Sequence, residues 1–425
     1  MAMAERRIAW PALLAWMVAL AGTACPRALG ADVEPCFQKL PPGWFVKKAV
    51  TASPDDVRAV GRRLGAPLQK LSNTHLIVHG QPLQVNVLHC ATVDEAKTLH
   101  AAIAKKKGHP AYCIRSGTQV IEYVGRTVSV NLARKASMDL GFVPKPPKAR
   151  YRIVAELAPL KHCDYMSCNR LFNQFLLMAQ TPHEPSVKEL FLDLTGRFVF
   201  GDTLTLRTCG KPVYVFQPKS LNAEPRLDGD ATVYTFGNCP RRFDVPYMTV
   251  TMELETNESG LTPTSRKAGP ELLAPTEFWP VGESDIAHRT KEITQGCTTP
   301  EAKVQAILRW LTPGKHIKSG GPVRGSRWGA RKVLRQGLGH CWDSSDVFVT
   351  FCRTAGVPCR QVAGWMFGSC GHVWAEVLYE GKGWQQVDPT GGGVLPCGIY
   401  HIPYFVSEDG RMPILYVAMP RVEMR

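Results

Sequence analysis

Cysteine, histidine and aspartate occur in that order at Cys341, His372 and Asp388. Together these side chains can carry out nucleophilic acyl chemistry. A thiolate attacks a carbonyl carbon, an imidazole takes and returns the proton, and a carboxylate orients the imidazole through its other nitrogen. Each residue also has a plainer role. Cys341, in the stretch Gly339-His340-Cys341-Trp342-Asp343-Ser344-Ser345, is one of fourteen cysteines and could simply hold the fold together. His372 could be a strand residue satisfied locally, and Asp388-Pro389 reads as a turn.

The surrounding elements decide between these roles. A helix is predicted to begin at Cys341 and run to about 355, with Val347, Phe348, Phe351 and Cys352 inward. Gly356 and Pro358 end it. The exposed N–H groups of a helix start stabilise a thiolate. Three apolar strands follow, at 360–365, 372–379 and 383–388. As antiparallel neighbours, the last two would place His372 and Asp388 side by side at one end of a sheet. Upstream, Thr299-Pro300-Glu301 starts a helix whose Val304, Ile307, Leu308 and Leu311 share one face, and a short helix is expected at 330–335.

Four words in this order are more specific than the three residues. They are GHCW at 339–342, CRTAGVPCR at 352–360, HVWAEV at 372–377 and GWQQVDPT at 383–390. Over about residues 280–395 the sequence resembles the transglutaminase-like superfamily. Its core is papain-like, with helices packed on an antiparallel sheet. The resemblance implies Cys341 as nucleophile, His372 as general base and acid, and Asp388 as the orienting carboxylate. It also implies an upstream tryptophan whose indole N–H helps hold the oxyanion. Trp328, before the short helix, matches that place, whereas Trp310 lies on a helix where a core role is expected. The loops between the three residues are short and only 37 residues follow Asp388. The acidic calcium-binding segments and C-terminal barrels of the animal enzymes have no room here, so calcium activation is not implied. Because the family also includes proteases, amidases and members without catalysis, cross-linking is not implied either.

The whole chain of 425 residues reads as an α+β protein in several parts. Residues 1–31, with Arg6, Arg7 and an apolar run, read as a secretory signal peptide, with lipidation at Cys25 as the alternative. Residues 36–142 read as a small α+β domain, 150–265 as a β-rich, sandwich-like domain, and 266–425 as the catalytic domain. A Pro-Lys-rich linker at 143–148 separates the first two. No segment of the mature chain is expected to cross a membrane. Export favours paired cysteines, so Cys90 with Cys113 and Cys163 with Cys168 are expected bridges. Cys352, Cys359, Cys370 and Cys397 are expected to pair among themselves or with Cys297, leaving Cys341 free.

The net charge of +15 is scattered, without aromatic-interleaved basic motifs, so no nucleic-acid partner is expected. Anionic envelope polymers are the partners such a charge would meet after export to the periplasm or medium. The expected activity is a cysteine acyltransferase or hydrolase acting on a protein or peptide substrate through a thioester, without a cofactor. The alternative is an inactive transglutaminase-like scaffold of the cell envelope, and a further one is zinc held by Cys341, Cys359, Cys370 and His372.

Overall fold

The computed structural model describes residues 33–41, 44–78, 81–107, 109–125, 128–162, 198–209, 212–217, 224–242, 244–246, 248–312, 316–320, 327–369, 371–390, 397–417 and 420–425. The expected signal peptide, Cys163, Cys168 and Cys370 lie outside them. No helix among the described residues is long and apolar enough to cross a membrane.

The first part alternates strands and helices: β1 (Trp44–Thr51), α1 (Pro54–Leu64), β2 (Lys70–Val78), β3 (Gln81–His89), α2 (Val93–Lys107), β4 (Cys113–Ser116), β5 (Gln119–Val124) and α3 (Val130–Asp139). The sheet order is β1-β2-β3-β5-β4. Helix α1 starts where Ser53 accepts the Asp56 N–H, and it stops at Gly65, whose φ of 74° suits a residue without Cβ. The capping box of α2 forms as its sequence predicts. Thr92 Oγ1 accepts the Glu95 N–H at 3.2 Å, and Glu95 accepts the Thr92 N–H at 3.1 Å.

One expectation needs correction here. Cys90 and Cys113 are free thiols, as are all ten described cysteines. Both sit in the apolar cluster under α2 with Leu99, Ile103 and Val120, where a thiol packs as a small hydrophobe. Burial pushes the Cys113 thiol up to about 12.

Among the described residues the middle part is all strand: β6 (Lys148–Pro159), β7 (Thr203–Cys209), β8 (Val213–Gln217), β9 (Arg226–Asp228), β10 (Ala231–Gly237), the two-residue β11 (Arg241–Arg242) and β12 (Val245–Pro246), and β13 (Met248–Asn257). One sheet runs β7-β10-β9, and in another β6 and β8 flank β13. Period-two alternation turns Tyr151, Ile153, Ala155 and Leu157 of β6 inward. They share a core with Leu204 and Leu206 of β7, Phe236 of β10, and Met248, Val250 and Met252 of β13.

The last part brings β14 (Leu261–Thr262), α4 (Ser284–Ile293), α5 (Pro300–Leu311), β15 (Lys318–Ser319), α6 (Ala330–Gln336), β16 (Leu338–Gly339) and α7 (Cys341–Thr354). After them come β17 (Cys359–Met366), β18 (Gly371–Tyr379), β19 (Gly383–Val387), β20 (His401–Ser407), β21 (Ile414–Tyr416) and β22 (Arg421–Met424). The sheet order β14-β19-β18-β17-β20 makes the three expected strands antiparallel neighbours. Helix α7 is buried from Trp342 through Arg353, which makes it the central helix of the molecule. Its Val347, Phe348 and Phe351 pack with Ala375, Val377 and Val387 of the sheet.

Two features bind the last part to the middle one. Strands β21 and β22 return to pair with β6, extending its sheet. On the sheet face away from α7, Val362, Trp374 and Val406 meet Ala231 of β10. At this seam the fully buried Arg360 pairs with Glu376 at 2.8 Å and with Asp230 at 3.0 Å, and stacks 3.6 Å from the Trp384 ring.

Candidate active site

Cys341 is the first residue of α7 and half-buried. The helix start is organised by Asp343, which is wholly buried. Its carboxyl accepts the His340 N–H at 3.0 Å, the Trp328 N–H at 2.6 Å and the Gly329 N–H at 3.3 Å. The Asp343 bonds therefore satisfy the helix's own entry and clamp the preceding loop against it. Burial lifts the Asp343 pKa, and the three amide bonds offset only part of that rise.

The rotation of α7 is also fixed. Trp342 Nε1 donates to Gln361 of β17 at 3.1 Å, and Gln361 Nε2 donates to Asp346 at 3.0 Å. Asp346 further accepts Trp279 Nε1 at 2.9 Å and Arg327 Nε at 2.6 Å, so its buried charge is matched. Ser345 Oγ, one turn below Cys341, donates to the Val373 carbonyl at 3.1 Å, beside His372. These bonds hold the first turn of α7 against the start of β18.

The structure brings Cys341, His372 and Asp388 together. His372 Nε2 lies 2.8 Å from Asp388 Oδ2 and 3.3 Å from the Thr390 hydroxyl. The Cys341 thiol is close enough to the ring to favour its charged form. Asp388 Oδ1 accepts the Thr390 N–H at 2.9 Å and the Thr390 hydroxyl at 2.5 Å. Burial opposes charge on His372. The Asp388 carboxylate and its hydrogen bond, with the Cys341 thiol, overcome this and hold the imidazole well above its usual value. Burial likewise raises Asp388, but the His372 charge and the bonds from His372 and His401 outweigh it and hold the carboxyl well below its usual range.

Trp328 lies beside the helix start. Its ring packs with the cluster formed by α5 and α7, under the Lys332 ammonium at 4.5 Å. Its tie to the helix start is the backbone N–H bonded to Asp343. The zinc set is not assembled. Cys359 pairs across to Val377 at the far end of β18 from His372, and Cys352 and Cys359 are buried free thiols.

Sequence reasoning missed His401. It begins β20, is buried, and places Nε2 3.2 Å from Asp388 Oδ2. One ligand atom each from His372, Asp388 and His401 lies within 4.8 Å of the others, a spacing that a metal ion could also bridge. Hydrogen bonds from both histidines to the one carboxylate account for that spacing. The first part of the chain reaches the same end of the sheet. Lys135 of α3 pairs with Asp139 at 2.5 Å and lies 4.5 Å over the Tyr400 ring, next to His401. The Tyr416 hydroxyl of β21 abuts Gly371, where an added Cβ would fall 2.0 Å from it.

Residues 287–389 match the family model of the transglutaminase-like superfamily. No curated protein matches the chain. Among solved structures, a candidate cysteine protease from Cytophaga hutchinsonii is 12% identical, with a TM-score of 0.37, over 65% of this chain and 89% of that one. The periplasmic domain of TgpA from Pseudomonas aeruginosa is 15% identical, with a TM-score of 0.30, over 58% of this chain and 88% of that one. Residues 287–389 are therefore a transglutaminase-like core, carried within a longer α+β chain.

Proposed function

We propose that the chain is an exported cysteine acyltransferase or hydrolase acting on carboxamide or peptide carbonyls. One observation carries the reading: the thiol at the start of the central helix meets an imidazole whose Nε2 is held at 2.8 Å by a buried carboxylate. In this role Cys341 is the nucleophile, His372 the proton carrier and Asp388 the orienting group. The Cys341 thiolate forms a bond to the carbonyl carbon, and the carbonyl oxygen takes the negative charge. The backbone N–H of Cys341 holds that oxyanion, and Trp328, on the loop clamped to the helix start, is the second donor. The His372 imidazolium gives its proton to the leaving amine or ammonia as the C–N bond breaks, leaving a thioester. Water or a primary amine then adds, His372 takes its proton, and the thiolate departs.

Export rests on the charged, then apolar, N-terminal sequence. The scattered positive charge favours anionic envelope polymers as surroundings, and a protein or peptide as substrate.

The test mixes the full chain with a glutamine-containing protein and follows ammonia release with and without a labelled amine. Amine incorporation identifies a transferase, ammonia release without it a hydrolase, and backbone cleavage a protease. Activity that persists in C341A, or none in the wild type, defeats the proposal.

A further inference from the structure

We infer that His401 is a positioning residue of the site: a neutral second histidine that holds the Asp388 carboxylate in line with His372. The inference rests on the reading of Cys341 as nucleophile.

The hydrogen-bond inventory of Asp388 supports it. Oδ2 is shared between His372 Nε2 at 2.8 Å and His401 Nε2 at 3.2 Å. Oδ1 takes the Thr390 N–H and hydroxyl. An ionised carboxylate only accepts, so His401 must carry its proton on Nε2. The other ring nitrogen, Nδ1, is buried without a partner among the described residues. In the neutral ring that atom is a bare lone pair. In the charged ring it would be a buried N–H with nothing to bond, a costlier state. Burial, the His372 charge and Lys135 all oppose protonation of His401, and they outweigh the pull of Asp388. His401 therefore donates one hydrogen bond and brings no charge of its own. The whole charge of Asp388 remains available to the His372 imidazolium.

The strand geometry shows how His401 comes to be there. On β17, Gly364 pairs with His372 of β18. Between Ala363 and Gly364 the β17–β20 register shifts by one residue, so Ala363 faces Phe405 while Gly364 faces Pro403 and Met366 faces His401. Directly opposed residues share a face. Val362 and Val406 thus lie on the Trp374 face, and Met366 and His401 come onto that face, which His372 also shares. Without the bulge, His401 would fall one position further along and point to the opposite side. The residue displaced by the bulge, Tyr404, instead stacks on Trp365 at 4.5 Å in the other core. The Trp374 ring then walls in both imidazoles, 6.0 Å from His372 and 5.2 Å from His401. The charged groups facing this pair are few: Asp388 and the Cys341 thiol from the site, the Cys397 thiol beside Asp388, and Lys135 from α3, already paired with Asp139.

The test compares the full-length wild type with H401F, H401N and H401Q. Gln places an N–H where Nε2 stood; Asn is too short, and Phe has no donor. The readouts are the pH dependence of Cys341 alkylation by iodoacetamide and of turnover, with Tm as a folding control. H401F and H401N are expected to react about 10–100-fold more slowly, with the alkaline limb shifted to lower pH. H401Q is expected to stay within about 3-fold of wild type. If H401F fails to fold, the contrast between Asn and Gln decides. An unchanged limb and rate in H401N, or folded H401Q as impaired as H401N, overturns the inference while leaving the nucleophile in place. A wild type whose Cys341 shows no preferential alkylation removes the nucleophile reading, and this inference with it.

Discussion

Gly364 lies directly against Trp374. A Cβ built on Gly364 would fall 2.2 Å from the Trp374 ring and 2.2 Å from the Ile402 carbonyl oxygen. Only a residue without a side chain lets the indole cross β17 and reach both histidines. We expect G364A to destabilise the fold by about 1–3 kcal/mol through overpacking. Turnover should fall further than stability explains, because the displaced indole disturbs His372. Thermal melting and kinetics on the same sample check this, and an unaltered Tm refutes the contact.

Among the described cysteines, Cys341 is expected to alkylate first. Cys352, Cys359 and Cys397 are buried in the core, and burial pushes Cys209 up to about 12 and Cys36 up to about 11. Peptide mapping after brief iodoacetamide treatment of the native chain reads this out. C341A should lose the fast-reacting site and about 10⁴-fold or more of the activity. Fast label on Cys297 instead of Cys341 would contradict the assignment.

The pair His372–Asp388 sets a pH window. The folded pKa of His372 is raised, so its contribution to stability is complete below about 6.5 and is lost as pH climbs through the folded value. That of Asp388 is lowered, so its contribution is present above about 3.8 and is lost as pH falls through the folded value. Activity that depends on the imidazolium should persist well above pH 6.5. D388N should move that alkaline limb downward and lower kcat/KM by roughly 10²–10⁴-fold. A limb unmoved in D388N would show that Asp388 does not serve His372.

Arg360 should be costly to remove. R360A leaves the buried Glu376 carboxylate unmatched, which costs about 3–5 kcal/mol, whereas E376A leaves Arg360 paired with Asp230 and should cost less. Because Asp230 approaches the same guanidinium, D230N should weaken the seam between the middle sheets and the core. Denaturant melts of the three variants test this, and a D230N curve superimposing on wild type would mean the seam holds without that charge.

Activity is expected to survive a calcium chelator, since no stretch of the core has the acidic spacing of a calcium loop. Loss of turnover with EDTA, restored by calcium alone, would reveal a site that the sequence does not signal.

The positions legible in sequence are those carried by local chemistry. The helix start at Cys341, the strand that carries His372 and the neighbouring strand that ends just before Asp388 follow from periodicity and short connections. Asp343 was also within reach, because an acid three residues after the helix cap is a local signal. His401 was not. Its face depends on a one-residue bulge between Ala363 and Gly364, and alternation along 401–407 carries no trace of that shift. The cysteines failed for a different reason. Counting them presumed that they pair, whereas Cys90 and Cys113 satisfy themselves by packing under α2. The return of β21 and β22 to β6 joins residues too distant in sequence for any local pattern to register.

That return gives the protein an order of assembly. As the chain emerges from the ribosome, β6 appears early and must wait, one edge uncovered, until β21 and β22 follow much later. The same late strand delivers Tyr416 against Gly371, beside His372. A nascent chain that has already made Cys341 thus lacks the wall that packs behind its partner histidine. The packing behind His372 is therefore complete only once β21 has been made. Until those strands are made the β6 edge stays open, a surface for a chaperone to shield.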